Sequence, residues 1–340
     1  MTITLSLTPT GSHPASWRLS PLPPLANARD LRDIAKTAER IGIDAILLGV
    51  PGATASDLLQ FDPLPMLGAL IAATQSIGLC ASWSIDFSEP YHVARVFATL
   101  DHLSHGRTGW MPLLSTMPRL RPRIGRDGSP DDPTSYCAKA AEFVDITRKL
   151  WDSWQDAAWA MDKPSGMFVN PDKVAPIDYH GTYFAVRGPL NVPRPPQGRP
   201  VLLMSDPTEP TLRTFVAETA DVVLVRDATD ASAFKVREVR VIVDLLVVLG
   251  ETEATAQARA EALDAMAPSD LPRFVGTPAQ LADRIAALKG VCGGVNLLPA
   301  VLPFDLDLLA GALPPARKAT TMREHFGLRR PASQYERVPA

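Results

Sequence analysis

Cysteine is scarce in this chain: Cys80, Cys137 and Cys292 stand far apart, with no Cys-x-x-Cys spacing. That argues against a disulfide framework or a zinc site and fits a reducing cytoplasm. An excess of one charge sign is also lacking. Thirty-four Lys and Arg against 37 Asp and Glu leave a net charge of -3, so there is no electrostatic case for nucleic acid or an anionic membrane surface. No apolar run is long enough for a transmembrane helix, because the longest apolar-rich stretch, Val239–Leu249, is interrupted by Asp244. The opening residues, MTITLSLTPTGSHP, lack the basic and apolar regions of a signal peptide. A Gly-x-Gly-x-x-Gly after a strand is absent, as is Gly-x4-Gly-Lys-Ser/Thr, so the usual nucleotide loops of an open doubly wound sheet are missing.

What is present is an apolar content of 46%, ample for a core, and 33 prolines, well above the usual share of about 5%. The prolines concentrate in connections and mark long ordered loops. Between them, strands and helices alternate. The strand segments are Thr2–Leu7, Asp44–Val50, Gly78–Ile85, Arg107–Leu114, Pro200–Met204, Asp221–Val225, Val239–Leu249 and Val291–Leu298. They are apolar without strict alternation, as expected for a parallel sheet covered on both faces. Helical patterns follow most of them. One starts at Asn27, a good cap, with Leu31, Ile34, Ala35 and Ala38 on one face. Others run from Leu64 to Thr74, through Glu89–Trp110, from about Tyr136 to Trp154, and over Thr208–Thr219, Glu251–Ala265 and Thr277–Leu288.

Eight such units predict a (β/α)8 barrel, a single domain spanning residues 1–340. Residues 115–135 and 155–198 are irregular insertions, and residues 305–340 form a helical tail. An open doubly wound sheet is the competing architecture. In a barrel the chemistry sits at the carboxyl ends of the strands.

Several segments together resemble the bacterial-luciferase-like flavin-dependent monooxygenases, in the branch of nitrilotriacetate monooxygenase component A. They are Gly11–Arg18 (GSHPASWR), Asp62–Leu79, Glu89–Trp110, Leu150–Trp154 (LWDSW), His180–Gln197, Asn296–Pro303 (NLLPAVLP) and Thr321–Leu328 (TMREHFGL). The resemblance spans nearly the whole chain in order. It implies a TIM barrel that uses reduced FMN, supplied by a separate flavin reductase, with oxygen to oxidise a small organic substrate. It also implies a homodimer. The alternative left open is a barrel of the same descent without productive flavin chemistry, acting as a binding or regulatory subunit.

Carried onto this sequence, the resemblance implies flavin contacts from Ser82 and Ser84 in the third strand and from Tyr136 after the irregular loop. It implies phosphate contacts from Ser205, Thr208 and Arg213, although Asp206 and Glu209 in the same segment would repel an anion. The loop after the fourth strand, where the family has a polar turn, reads Trp110-Met111-Pro112. His13 and Trp110 are the candidate catalytic residues at strand ends. The competing readings are a satisfied loop histidine and a core tryptophan. His102 and His105 near Asp101 read as a helix end rather than a metal site. Asp101 and Arg107 are expected to tie that helix to the next strand. The arginines at 119, 121, 123 and 126, followed by aspartates, read as a solvated loop.

Overall fold

The computed structural model describes residues 1–23, 27–50, 61–114, 132–234, 239–314 and 319–335. Eight parallel strands form a ring: β1 (Thr2–Leu7), β2 (Ala45–Leu48), β3 (Gly78–Ser84), β4 (Thr108–Leu113), β5 (Val201–Ser205), β6 (Val222–Val225), β7 (Arg240–Leu249) and β8 (Gly294–Pro299). β8 pairs with both β1 and β7, and β6 pairs with β7, so the ring has no edge. The closed barrel expected from the alternation is present, and the open sheet is excluded.

The helices α1 (Ala28–Arg40), α2 (Pro63–Ile71), α3 (Pro90–Leu103), α4 (Pro133–Asp152), α5 (Pro210–Thr219), α6 (Glu253–Met266) and α7 (Pro278–Ala287) surround it. Their starts follow from local chemistry. Asn27 and Thr277 each form a reciprocal capping box, and Asp132 accepts the Ser135 N–H ahead of Pro133. That cap starts α4 three residues before the expected Tyr136. α5 begins at Pro210 under a Glu209 cap, so Thr208 is not the helix-start residue expected. Beyond the eight expected strands, Arg273–Gly276 adds to the upper half of β7, pairing with Leu246–Leu249.

Side-chain alternation divides the core into two layers. Leu5, Ile46, Leu79, Trp110, Leu202, Val223, Val243 and Leu297 point outward and pack with the helices. Leu47, Cys80, Met111, Leu203, Leu224, Ile242 and Leu298 point inward. The tail closes the amino end of this inner layer. Met322 and Phe326, from the turn of helix Met322–His325 and just after it, belong to the inner cluster. Gly109 of β4 makes room: a Cβ there would lie 2.7 Å from Met322 Sδ. Thr2 Oγ1 donates to the His325 carbonyl, His325 Nδ1 lies 3.2 Å from Asp44, and Arg323 Nε donates to the Arg199 carbonyl.

The 155–198 stretch carries two small hairpins, Trp159–Asp162 with Met167–Val169 and Tyr179–His180 with Ala185–Val186. Glu142 of α4 holds the second by accepting the N–H groups of Thr182, Tyr183 and Phe184. The arginine-rich segment lies outside the described residues. Among the described residues, no helix is long and apolar enough to cross a membrane.

Candidate active site at the carboxyl mouth of the barrel

The mouth is built from strand ends and the loops that leave them. After β1, Gly11 passes against the β8 loop with φ +120°, and a Cβ on it would lie 2.7 Å from Val301 Cα. Only glycine tolerates both conditions. Ser12 and His13 then donate their backbone N–H groups to the carbonyls of Pro299 and Ala300. Asp305 pins the neighbouring loops, accepting the N–H groups of Leu249 and Val301 and pairing with Arg259.

Ser82 and Ser84 fall on the inward face of β3, as the two-residue period requires. Ser82 is buried and Ser84 half-buried. The Ser84 hydroxyl accepts the Asp86 N–H at 3.2 Å, and the Tyr136 hydroxyl donates to Asp86 Oδ2 at 3.2 Å. Asp86 thus brings together two of the expected flavin contacts. Asp86 lies just past the strand segment Gly78–Ile85 and was not among the expected site residues. Ser205 ends β5 on the inward face, two strands from β3, which puts it on the order of 10 Å from Ser84. Thr8, just past β1, keeps the inward parity of Thr4 and Ser6. Its hydroxyl and that of Ser12 are buried without a partner among the described residues.

Deeper in, a polar layer crosses β1, β8 and β7 in register. Thr4 Oγ1 donates to Asn296 Oδ1 at 2.9 Å, while Asn296 Nδ2 donates to Ser6 Oγ at 2.9 Å and to Asp244 Oδ1 at 2.7 Å. Asp244 is surrounded by protein yet keeps some accessible surface inside the barrel. Burial pushes its carboxyl up to about 6, against the pull of the Asn296 hydrogen bond. This layer went unrecognised at the sequence level. The signal available was Asp244 interrupting an apolar strand.

The remaining candidates are placed differently. Trp110 points outward and is not part of the mouth. It is fully buried against Phe97, Phe143 and Trp151, with ring centroids 5.9, 6.1 and 6.3 Å away. The catalytic role expected for it therefore gives way to packing between β4, α3 and α4. His13 is 2% exposed. Its Nδ1 accepts the Ala15 N–H at 3.1 Å, which leaves Nε2 as the donor toward Asp264 at 3.4 Å. Burial lowers its pKa more than Asp264 raises it. Thr208 is exposed.

Arg213 is turned onto Asp206. Its Nε donates to Asp206 Oδ1 at 2.7 Å, one terminal nitrogen bonds Oδ2, and Asp230 lies 3.3 Å from that same nitrogen. His102 Nε2 contacts the Pro193 carbonyl at 3.2 Å. No cluster of metal-ligating residues occurs among the described residues. Asp101 and Arg107 do tie the end of α3, but through separate partners. Asp101 accepts from Thr108 and Gln197, and Arg107 donates to Thr74 and Ile77. A cavity of about 280 Å³ lined by Trp83, Phe87, His92 and Val96 lies outside the barrel against α3.

A closed eight-stranded parallel barrel with hydroxyl and carboxylate side chains gathered at its carboxyl mouth has the arrangement in which (β/α)8 enzymes place their active sites. A family model described as luciferase-like monooxygenase matches residues 4–270. N-acetyl-S-(2-succino)cysteine monooxygenase of Bacillus subtilis (strain 168) is 30% identical, over 96% of this chain and 96% of that protein. Nitrilotriacetate monooxygenase component A of Aminobacter aminovorans is 32% identical, over 92% of this chain and 73% of that protein. The structure of EDTA monooxygenase from Chelativorans sp. BNC1 superposes with a TM-score of 0.79 at 24% identity, covering 97% of this chain and 98% of that one. The chain belongs to the luciferase-like monooxygenase family.

Proposed function

We propose that this chain is the oxygenase component of a two-component flavin-dependent monooxygenase acting on a small organic substrate. The observation that carries the reading is the 30% identity, over 96% of both chains, with a protein named as a monooxygenase. When bound, reduced flavin delivered by a separate reductase supplies the electrons that activate oxygen.

The fit of FMN to the described residues is divided. Ser82, Ser84, Ser205 and the unpartnered Thr8 hydroxyl line the inner wall and suit the polar edge of a flavin ring. Tyr136, held by Asp86, would close that side. The phosphate end does not fit, because the Arg213 fork is filled by Asp206 and the head of α5 by Glu209. In this reading the barrel residues bind and orient the ring. His13 is a positioning residue that fixes the β1 loop, and Trp110 buttresses β4 from behind.

We also read residues 1–340 as one luciferase-like domain, with the 115–135 and 155–198 insertions and the 305–340 tail belonging to it. The three free cysteines support a cytoplasmic location. A homodimer is the assembly expected within this reading. Titration of the purified protein with flavin, oxidised in air and reduced under anaerobic conditions, tests the proposal. Saturable binding and oxygen uptake dependent on an added flavin reductase are expected. Absence of saturation by either redox form would refute it.

A further inference from the structure

The segment that opens α5 carries every kind of group that holds a phosphate monoester: the hydroxyls of Ser205 and Thr208, a helix N-terminus and the guanidinium of Arg213. The two strongest of these are already occupied. Glu209 places its own carboxylate on the helix head, accepting the Leu212 N–H at 2.6 Å. Asp206 takes the Arg213 fork with both oxygens, the same two-point grip a guanidinium gives a phosphate. Asp206 is fixed from behind, since its N–H donates to the Leu224 carbonyl of β6 at 2.7 Å. Its side chain is only 7% exposed. Phe234 lies under the guanidinium at 5.8 Å, and Asp230 adds a second carboxylate on the same cation. One guanidinium thus faces two carboxylates, and a third caps the helix it stands on. A dianion arriving here has either to expel a buried, already paired carboxylate or to sit among uncompensated negative charges.

We propose that Asp206 and Glu209 stand in for the cofactor's phosphate, so that the mouth recognises the ring and side chain of a flavin and not its phosphate. This rests on the flavin reading above and adds its specificity: riboflavin and FMN bind alike. Asp206 is the specificity-determining residue. It excludes by charge what Arg213 would otherwise attract.

The test is equilibrium titration of the full chain with FMN and with riboflavin, followed by quenching of flavin fluorescence. In the unmodified protein the two dissociation constants are expected to agree within about threefold. Asp206→Asn keeps the shape and removes the charge. Asp206→Ser removes the two-point grip and leaves only the 3.3 Å contact with Asp230 on the guanidinium. Both are expected to tighten FMN by about tenfold or more while leaving riboflavin unchanged. A tenfold or greater preference of the unmodified protein for FMN overturns the inference and leaves the flavin reading standing. So does an FMN-to-riboflavin ratio that neither substitution moves. Saturation by neither flavin, in the unmodified protein or the variants, overturns the flavin reading and the inference with it.

Discussion

Asn296 and Asp244 meet inside the barrel through a 2.7 Å hydrogen bond between side chains that face each other in register across β8 and β7. The amide nitrogen of Asn296 also donates to Ser6 and its oxygen accepts from Thr4, so Asp244 Oδ1 is held by an amide whose other bonds are already made. An ionised carboxylate in that position is poorly solvated, and burial raises its pKa to about 6.

The sign of the pH dependence follows. Between the ordinary carboxylate value of about 4 and the folded value, the native state keeps a proton that the unfolded chain has lost. Stability therefore falls as pH rises through that window and levels off above it. Asp244→Asn removes the effect while keeping an acceptor for Asn296. Urea unfolding at pH 4.5 and pH 7.5 is expected to show a gain for the variant that is roughly 1–2 kcal/mol larger at the higher pH. Equal differences at both values would refute this account.

His13 makes the opposite prediction. Its Nδ1 lone pair is used by the Ala15 N–H, so protonation at that atom breaks a buried hydrogen bond. Its pKa is lowered, chiefly by burial. Ring carbon–proton NMR signals of this histidine are expected to stay constant from pH 8 down past the ordinary value of about 6.5. Below that value the unfolded chain takes a proton that the native state refuses, so this group costs stability in acid. A midpoint at or above 6.5 would contradict the assignment.

The close approach of Gly109 to Met322 predicts asymmetric costs. Gly109→Ala drives a methyl to within 2.7 Å of Met322 Sδ and is expected to cost about 1–3 kcal/mol through overpacking. Met322→Ala empties the plug and is expected to cost about 2–5 kcal/mol. The pair Gly109→Ala with Met322→Ala is expected to cost less than the sum, because the second change removes the clash made by the first. Denaturant unfolding of the three variants gives the coupling, and strict additivity would show that the two residues do not meet.

Arg107 joins the ends of two helices. It donates to Ser104 O at 2.9 Å, Ile77 O at 2.8 Å, Thr74 O at 3.2 Å and Thr74 Oγ1 at 3.1 Å, and it is 4% exposed. Arg107→Lys keeps the charge and loses the fork, which leaves buried carbonyls unpaired. A loss of roughly 2–4 kcal/mol is expected in denaturant unfolding. A loss below about 0.5 kcal/mol, the scale of an ordinary surface substitution, would show that the fork is dispensable.

The barrel was legible in the sequence because its units are local: a cap such as Asn27, a helical face such as Ile34 and Ala38, then an apolar strand. What was not legible is which side of an apolar strand faces inward. Trp110 and Met111 are both apolar neighbours in β4, and only the packed helices decide that the tryptophan belongs with Phe97 and Phe143. The strand Arg273–Gly276 escaped for a related reason, being four residues that pair only where β7 outruns the ring. At the mouth, Ser82 and Ser84 could be assigned to one face from their spacing alone. The pairing of Arg213 with Asp206 could not, since it depends on a loop turning the carboxylate back over the helix that follows it.

Thr2 of β1 lies beside Gly294 of β8, so the first and last staves of the ring are neighbours. For a ribosome this is an awkward order of delivery. At about 5–20 residues per second, β1 emerges roughly 15–60 s before the strand that covers its free side. Throughout that interval the nascent sheet has two raw edges and an open floor, because the Met322 plug is made later still. Unpaired strand edges recruit other chains. The arrangement that makes the finished barrel edgeless therefore lengthens the time during which its synthesis needs protection from aggregation.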